Sequence, residues 1–158
     1  MQRDAEVLDV NTQSSGKNKR CFIRHPVTLT VQCRKEGHMA ANALEMRDIS
    51  FGGMYFISAD PYVPGDIVVM SFPLLTIRSR ITGEIIWSSP LSLNPIIQFS
   101  NGLKFLNRQV LFIARMIEQL CCIQKYRESQ ALKNSRTLSG DQAAREWIRL
   151  CASRFPGE

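Results

Sequence analysis

The chain has 158 residues, 44% hydrophobic and 22% charged, with 20 Lys+Arg against 14 Asp+Glu and a formal net charge of +6. That composition supports a globular core and argues against disorder throughout, while the positive excess points to an anionic partner. No apolar stretch approaches the roughly 18 residues that span a bilayer, and the polar, partly acidic first residues are unlike a signal peptide, so no membrane span and a cytoplasmic location are expected.

Residues 1–16 read as a flexible, polar leader without a periodic apolar face. Val27, Leu29, Val31 and Cys33 then alternate with Thr28, Thr30, Gln32 and Arg34, the period of a half-buried strand. Glu36-Gly37-His38 is a turn. Residues 39–47 read as a second strand because their neighbours are strands, although Ala40, Ala41, Ala43 and Leu44 favour helix. Residues 54–58 make a third strand, and Pro61 and Pro64-Gly65-Asp66 punctuate a loop. Residues 67–72 form the next strand. Residues 75–87 form another, with Leu75, Ile77, Ser79 and Ile81 alternating and a bulge or bend expected at Gly83. Residues 88–95 carry two prolines and read as a hairpin-like loop; residues 96–99 and 102–106 close the β region, split at Ser100-Asn101. Many short strands with turn residues between them predict a small antiparallel barrel or sandwich.

The period then lengthens. Val110, Ile113, Ile117 and Leu120 recur at spacings of three and four, which predicts an amphipathic helix of roughly five turns with Asn107 as its N-cap. Residues 133–139 form a polar break. Ser139 and Gln142 make a capping box for a second helix with Ala144, Trp147, Ile148, Cys151 and Phe155 as its apolar face and Pro156-Gly157 as its end.

Little in the chain suggests an enzyme or a metalloprotein. With only His25 and His38, a histidine-based triad has little material. The five cysteines (Cys21, Cys33, Cys121, Cys122, Cys151) hold no CxxC pair, so neither a disulfide framework nor a metal or redox cofactor is expected. The Cys121-Cys122 pair reads as helix packing, Phe51 as packing, and Arg78 with Arg80 as a solvated strand face.

Two patterns carry recognisable chemistry. Arg20-Cys21-Phe22-Ile23-Arg24 is an Arg-x-x-x-Arg run, preceded by Lys17 and Lys19 and placed before the first strand. Arginine presents a planar fork of donors that grips a phosphate or the O6/N7 edge of a guanine, and it stacks flat on a purine. Asp48-Ile49-Ser50-Phe51-Gly52-Gly53 is an Asp-x-Ser-x-x-Gly run at a turn between strands. An aspartate there accepts hydrogen bonds from a guanine's N1 and amine or holds an arginine, a serine offers a hydroxyl, and Gly53 permits unusual backbone angles or a close approach. Singly, each pattern is commonplace; in this order and spacing they are specific.

On these residues the chain resembles the PilZ family, the bacterial receptor domain for cyclic di-GMP. The resemblance covers roughly residues 17–106. It rests on Arg20, Arg24, Asp48, Ser50 and Gly53, with support from Gly83-Glu84-Ile85-Ile86-Trp87 and from Gly102 with Phe105. It implies a mainly β fold: a six-stranded antiparallel PilZ-type β-barrel at residues 17–107, followed by a C-terminal helical extension at 108–158. It further implies cyclic di-GMP as ligand, with Arg20 and Arg24 on guanine edges and phosphates, Asp48 and Ser50 on a guanine, and Gly53 letting the loop approach. Trp87 is a candidate to stack on a base, with filling the barrel core or covering the helix as the other reading. Lys19 stands where members often carry another arginine; a lysine contacts phosphate but cannot fork a guanine edge.

The implied protein is a non-enzymatic effector that changes conformation on ligand binding. It would act on an unidentified downstream protein through the C-terminal helices, with a homodimer as a further expectation, in motility, pilus, exopolysaccharide or transcription control. Two other readings stay open: a basic small barrel that binds nucleic acid, and a PilZ-like adaptor that binds protein without nucleotide. Nucleic acid is not expected, because the basic residues are local: residues 17–35 hold Lys17, Lys19, Arg20, Arg24, Arg34 and Lys35 and no Asp or Glu.

Overall fold

The alternation of Val27, Leu29, Val31 and Cys33 becomes the inward face of the first strand, with all four side chains buried in the barrel core. In the computed structural model, residues 22–76, 80–93, 95–106 and 110–154 are described. Six strands follow one another: β1 (His25–Lys35), β2 (Asn42–Ile49), β3 (Gly53–Ser58), β4 (Ile67–Ser71), β5 (Arg80–Leu93) and β6 (Ile96–Phe105). Every pairing is antiparallel, in the spatial order β1-β2-β3-β6-β5-β4, and β4 pairs back onto β1 to close the barrel. Closure confines the apolar alternate residues of each strand to one interior.

Four sequence expectations change. The strand expected from residue 75 begins at Arg80; Leu75 is buried in the preceding turn, and Ile77, Arg78 and Ser79 lie outside the described residues. The loop expected at 88–95 is mostly strand. β5 continues through Pro90 to Leu93, and β6 runs unbroken through Ser100 and Asn101 opposite it. A proline fits there because β4 reaches β5 only as far as Glu84, so the outer edge of β5 at Pro90 has no ladder to serve. The bulge expected at Gly83 lies instead between Ile85 and Trp87.

Two helices follow, α1 (Val110–Asn134) and α2 (Gly140–Cys151). α1 outruns the five turns expected, since residues 124–134 are mostly good helix formers that continue beyond the apolar seam. Ser135 ends it at a positive φ of 50°. The N-cap expected at Asn107 lies outside the described residues, as do Phe155 and Pro156-Gly157. The capping box of α2 forms as expected: Gln142 N donates to Ser139 Oγ at 3.1 Å and Ser139 N donates to Gln142 Oε1 at 2.9 Å.

Both helices share one core with the barrel, through Ile113, Met116, Leu120 and Ile123 of α1 and Ala143, Ala144 and Trp147 of α2. α2 is held on the outer side of β1. Thr30 N donates to Asp141 Oδ1 at 2.9 Å and Thr30 Oγ1 donates to Asp141 Oδ2 at 2.5 Å. Gly140 is required at this contact, because a Cβ there would lie 1.7 Å from the Thr28 carbonyl oxygen. Among the described residues no helix is long and apolar enough to cross a membrane.

Candidate functional site

Strict alternation along β2 would send Asp48 inward with Leu44 and Met46. A register shift against β3 between Met46 and Asp48 prevents it. Arg47 is the extra residue, and both Arg47 and Asp48 emerge on the outside between buried Met46 and Ile49. β5 repeats the device. Ile81 and Ile85 point inward, Ile86 is the extra residue against β6, and Trp87 turns outward, 42% exposed. Two β-bulges therefore aim the acidic and the aromatic candidate residues at solvent.

The strand register then lines them up. Asp48 lies opposite Tyr55, Tyr55 opposite Gly102, and Gly102 opposite Trp87, one lateral row across β2, β3, β6 and β5. Gly102 leaves the space in which Trp87 lies down: a Cβ on residue 102 would come within 2.1 Å of Trp87 Nε1. Across it the Trp87 and Tyr55 rings stack, with centroids 5.9 Å apart and planes at 26°. The result is an aromatic platform beside a carboxylate. Trp87 thus neither fills the barrel core nor lies under a helix.

At the carboxylate end, Pro26 pairs with Asp48 in the β1–β2 ladder, which brings the residues before β1 alongside. Arg24 Nη1 lies 2.6 Å from Asp48 Oδ1, the two side chains 38% and 23% exposed. An ion pair this open contributes only about 0.2–1 kcal/mol to stability. Its consequence is geometric, since the carboxylate fixes where the guanidinium fork points. Phe22 rests on the following turn: a Cβ on Gly52 would meet its ring at 2.8 Å.

The serine and glycine of the second motif also have work inside the fold. Ser50 is buried, and its hydroxyl donates to Gly53 O at 3.3 Å while accepting from Gly52 N at 3.3 Å. Ser50 N also donates to Gly53 O at 2.8 Å. The serine thus ties the turn that follows Asp48. Gly53 is where β3 passes β6, since a Cβ there would lie 1.9 Å from the Leu103 carbonyl oxygen. Phe51, expected to pack, is 40% exposed beside this turn.

The structure brings Arg24, Asp48 and Trp87 onto one outer face, with Ser50 and Gly53 shaping the turn beneath. Lys19 and Arg20 lie outside the described residues. Sequence reasoning missed Tyr55. The usable clue was its place two residues after Gly53 in a strand whose intervening Met54 and following Phe56 are inward.

A closed six-stranded antiparallel barrel, entered by an arginine that pairs with an aspartate on its outer wall and followed by a helix packed on its core, defines a small β-barrel domain with a helical extension. The sequence model of the PilZ domain family matches residues 17–120, and the chain belongs to that family. No curated protein sequence matches it significantly. Among solved structures it is similar to the PilZ domain with c-di-GMP of YcgR from Escherichia coli, with 15% identity and a TM-score of 0.59, covering 73% of this chain and 98% of that one. It is also similar to the K. pneumonia MrkH–c-di-GMP complex, at 13% identity and TM-score 0.55, covering 68% of this chain and 54% of that one. The apo state of MrkH gives 14% identity and TM-score 0.53, covering 65% and 51%. The match to MrkH thus spans about half of that protein's length, and at these identities the likeness is one of fold.

Proposed function

We propose that the chain is a non-enzymatic receptor for cyclic di-GMP, acting in the cytoplasm. The observation that carries this reading is the lateral row that joins the Arg24–Asp48 pair to the Tyr55–Trp87 platform on one exposed face. A cyclic dinucleotide offers two anionic phosphates and two flat guanines, and this face supplies a partner for each. Arg24, aimed by Asp48, takes a phosphate or the O6/N7 edge of a guanine. Asp48 accepts from guanine N1 and its amine. Trp87, backed by Tyr55, offers a surface on which a base stacks. Arg20 takes the same kind of guanine or phosphate contact as Arg24, and Lys19 adds positive charge that raises the encounter rate with a dianion. Ser50 and Gly53 hold the turn that presents Asp48. The similarity to PilZ structures described with c-di-GMP supports the reading.

In this reading the ligand orders the segment from Lys17 to Arg24 against the barrel wall, a population shift that requires tighter binding by the ordered state. The ordered state then presents a changed surface to a downstream protein or to a second copy of the chain, through the helices.

Isothermal titration calorimetry with cyclic di-GMP tests it. Wild type binds; Arg24→Ala, Arg20→Ala and Asp48→Ala each lose on the order of 1–3 kcal/mol, the range of a good bidentate guanine contact. Trp87→Ala loses about 1–3 kcal/mol, the range of base stacking on an aromatic side chain. Absence of heat with wild type at high micromolar ligand sinks the proposal, and tight binding of an oligonucleotide instead favours a nucleic-acid barrel.

A further inference from the structure

A second concave site lies beside the proposed nucleotide face, toward α1. It is a groove of about 430 Å³ between the first residues of β1 and the middle of α1, and neither Arg24 nor Asp48 lines it. Its volume is in the range of small-molecule sites. Arg47 reaches it from β2, and Lys125 and Arg127 reach it from α1. His25, Thr28 and Gln124 add neutral polar groups, and Pro26 and Val27 supply an apolar patch.

The arrangement is held in place rather than loosely assembled. Arg127 Nε donates to the Leu138 carbonyl at 2.7 Å, which anchors that guanidinium. Arg47 Nη2 lies 2.8 Å from Glu45 Oε1. His25 Nδ1 is 3.6 Å from Cys121 Sγ, joining β1 to the helix. The carboxylate that lines the groove, Glu128, accepts from Gln124 Nε2 at 2.9 Å. Arg47, Lys125 and Arg127 outnumber the carboxylates beside them, Glu128 in the lining and Glu45 on Arg47, and a concave wall concentrates the remaining positive field on a bound anion.

The β2 bulge explains why this site is separate from the first. Arg47 and Asp48 are consecutive and both turned outward. Arg47 lines the groove with α1, while Asp48 pairs with Arg24 beside Tyr55. One bulge thus serves two neighbouring sites.

We infer that this groove binds a phosphorylated small molecule of about mononucleotide size, its phosphate between Arg47, Lys125 and Arg127 and its uncharged part against Pro26 and Val27. The inference does not depend on cyclic di-GMP binding at the other face. The walls come from the strand that follows Arg24 and from α1, so an occupant clamps the two together.

The test is a titration of the ¹⁵N-labelled full chain with adenosine monophosphate, a probe without guanine, followed by NMR. Saturable shifts are expected at His25, Thr28, Gln124 and Lys125. Lys125→Ala and Arg47→Ala, both at exposed positions, should each weaken binding by about tenfold, as expected for a charge-assisted contact. Arg24→Ala should leave it unchanged, and adenosine without phosphate should not shift these residues. Absence of saturable shifts at millimolar probe overturns the inference. So do shifts confined to Asp48, Tyr55 and Trp87, shifts lost in Arg24→Ala, or equal shifts with adenosine. Because calorimetry with cyclic di-GMP reads the other face, failure of either site leaves the other's result intact.

Discussion

The barrel wall treats its outward residues in two opposite ways. On β1, outward Thr30 is covered: Asp141 caps it with both carboxylate oxygens, and Gly140 brings α2 onto the neighbouring Thr28 carbonyl. Across β2, β3, β6 and β5, the outward row Asp48–Tyr55–Gly102–Trp87 stands open among the described residues, with Arg24 paired to Asp48 and Tyr55 stacked on Trp87. The covered side uses small residues and backbone contacts, which bury well and contribute to stability. The open side uses large aromatics and a charged pair, groups that keep polar or stacking capacity for a partner. The contrast implies that stability and ligand affinity are separable by side of the barrel.

The largest expected effect tests the covered side. Gly140→Val places side-chain atoms where the Thr28 carbonyl lies and undocks the start of α2. Overpacking of this kind costs about 1–3 kcal/mol, read as a lowered midpoint in chemical denaturation, while cyclic di-GMP affinity at the open face stays near wild type. A matching loss of affinity breaks the comparison and ties α2 to the ligand face. Next comes Arg24→Ala, whose cost falls on ligand affinity while its denaturation midpoint moves by no more than about 1 kcal/mol equivalent. A stability loss as large as that of Gly140→Val would make the arm structural.

Gly102→Ala is a finer probe of the open side. The added methyl meets Trp87 Nε1 and pushes the indole off Tyr55. The tryptophan emission should shift and its response to ligand should weaken, with Trp147 as the unchanged background of the buried helix. An unaltered ligand response removes Trp87 from the site.

The smallest effect is acid sensitivity on the helical side. Hydrogen bonds from Arg136 first, and from Tyr126 second, hold the Glu146 carboxyl below the usual glutamate range. A carboxyl with a lower pKa folded than unfolded adds stability above its unfolded value, about 4.3. That addition is lost as pH falls through the folded value. Thermal melts from neutral to acid pH should therefore fall less steeply in Glu146→Gln than in wild type. Equal slopes would remove this contact from the acid response.

Much of this was legible in the chain. Period-two alternation at Val27, Leu29, Val31 and Cys33 marks β1 because inward side chains must be apolar whatever the strand's neighbours are. The capping box at Ser139 and Gln142 was equally readable, since its partners are three residues apart and need nothing distant. The two motifs located the arm and the turn beneath the open face. The limits were also local. Pro90 read as a loop because proline breaks a paired strand, and only the absence of β4 beside that stretch permits it. The partners of the Ser50 hydroxyl inside the turn were not readable, because they cannot be seen until the turn closes on it.

What the sequence determined by itself was the first four strands, the helices, the basic arm and the family pattern, all properties of residues within a few positions of one another. What only the tertiary structure decided was the direction of Asp48 and Trp87, their alignment through Tyr55 and Gly102, and the meeting of Arg47 with α1. The physical reason is that a bulge is a mismatch of one residue between two strands. It belongs to the pairing and not to either strand, so it exists only once the barrel has closed.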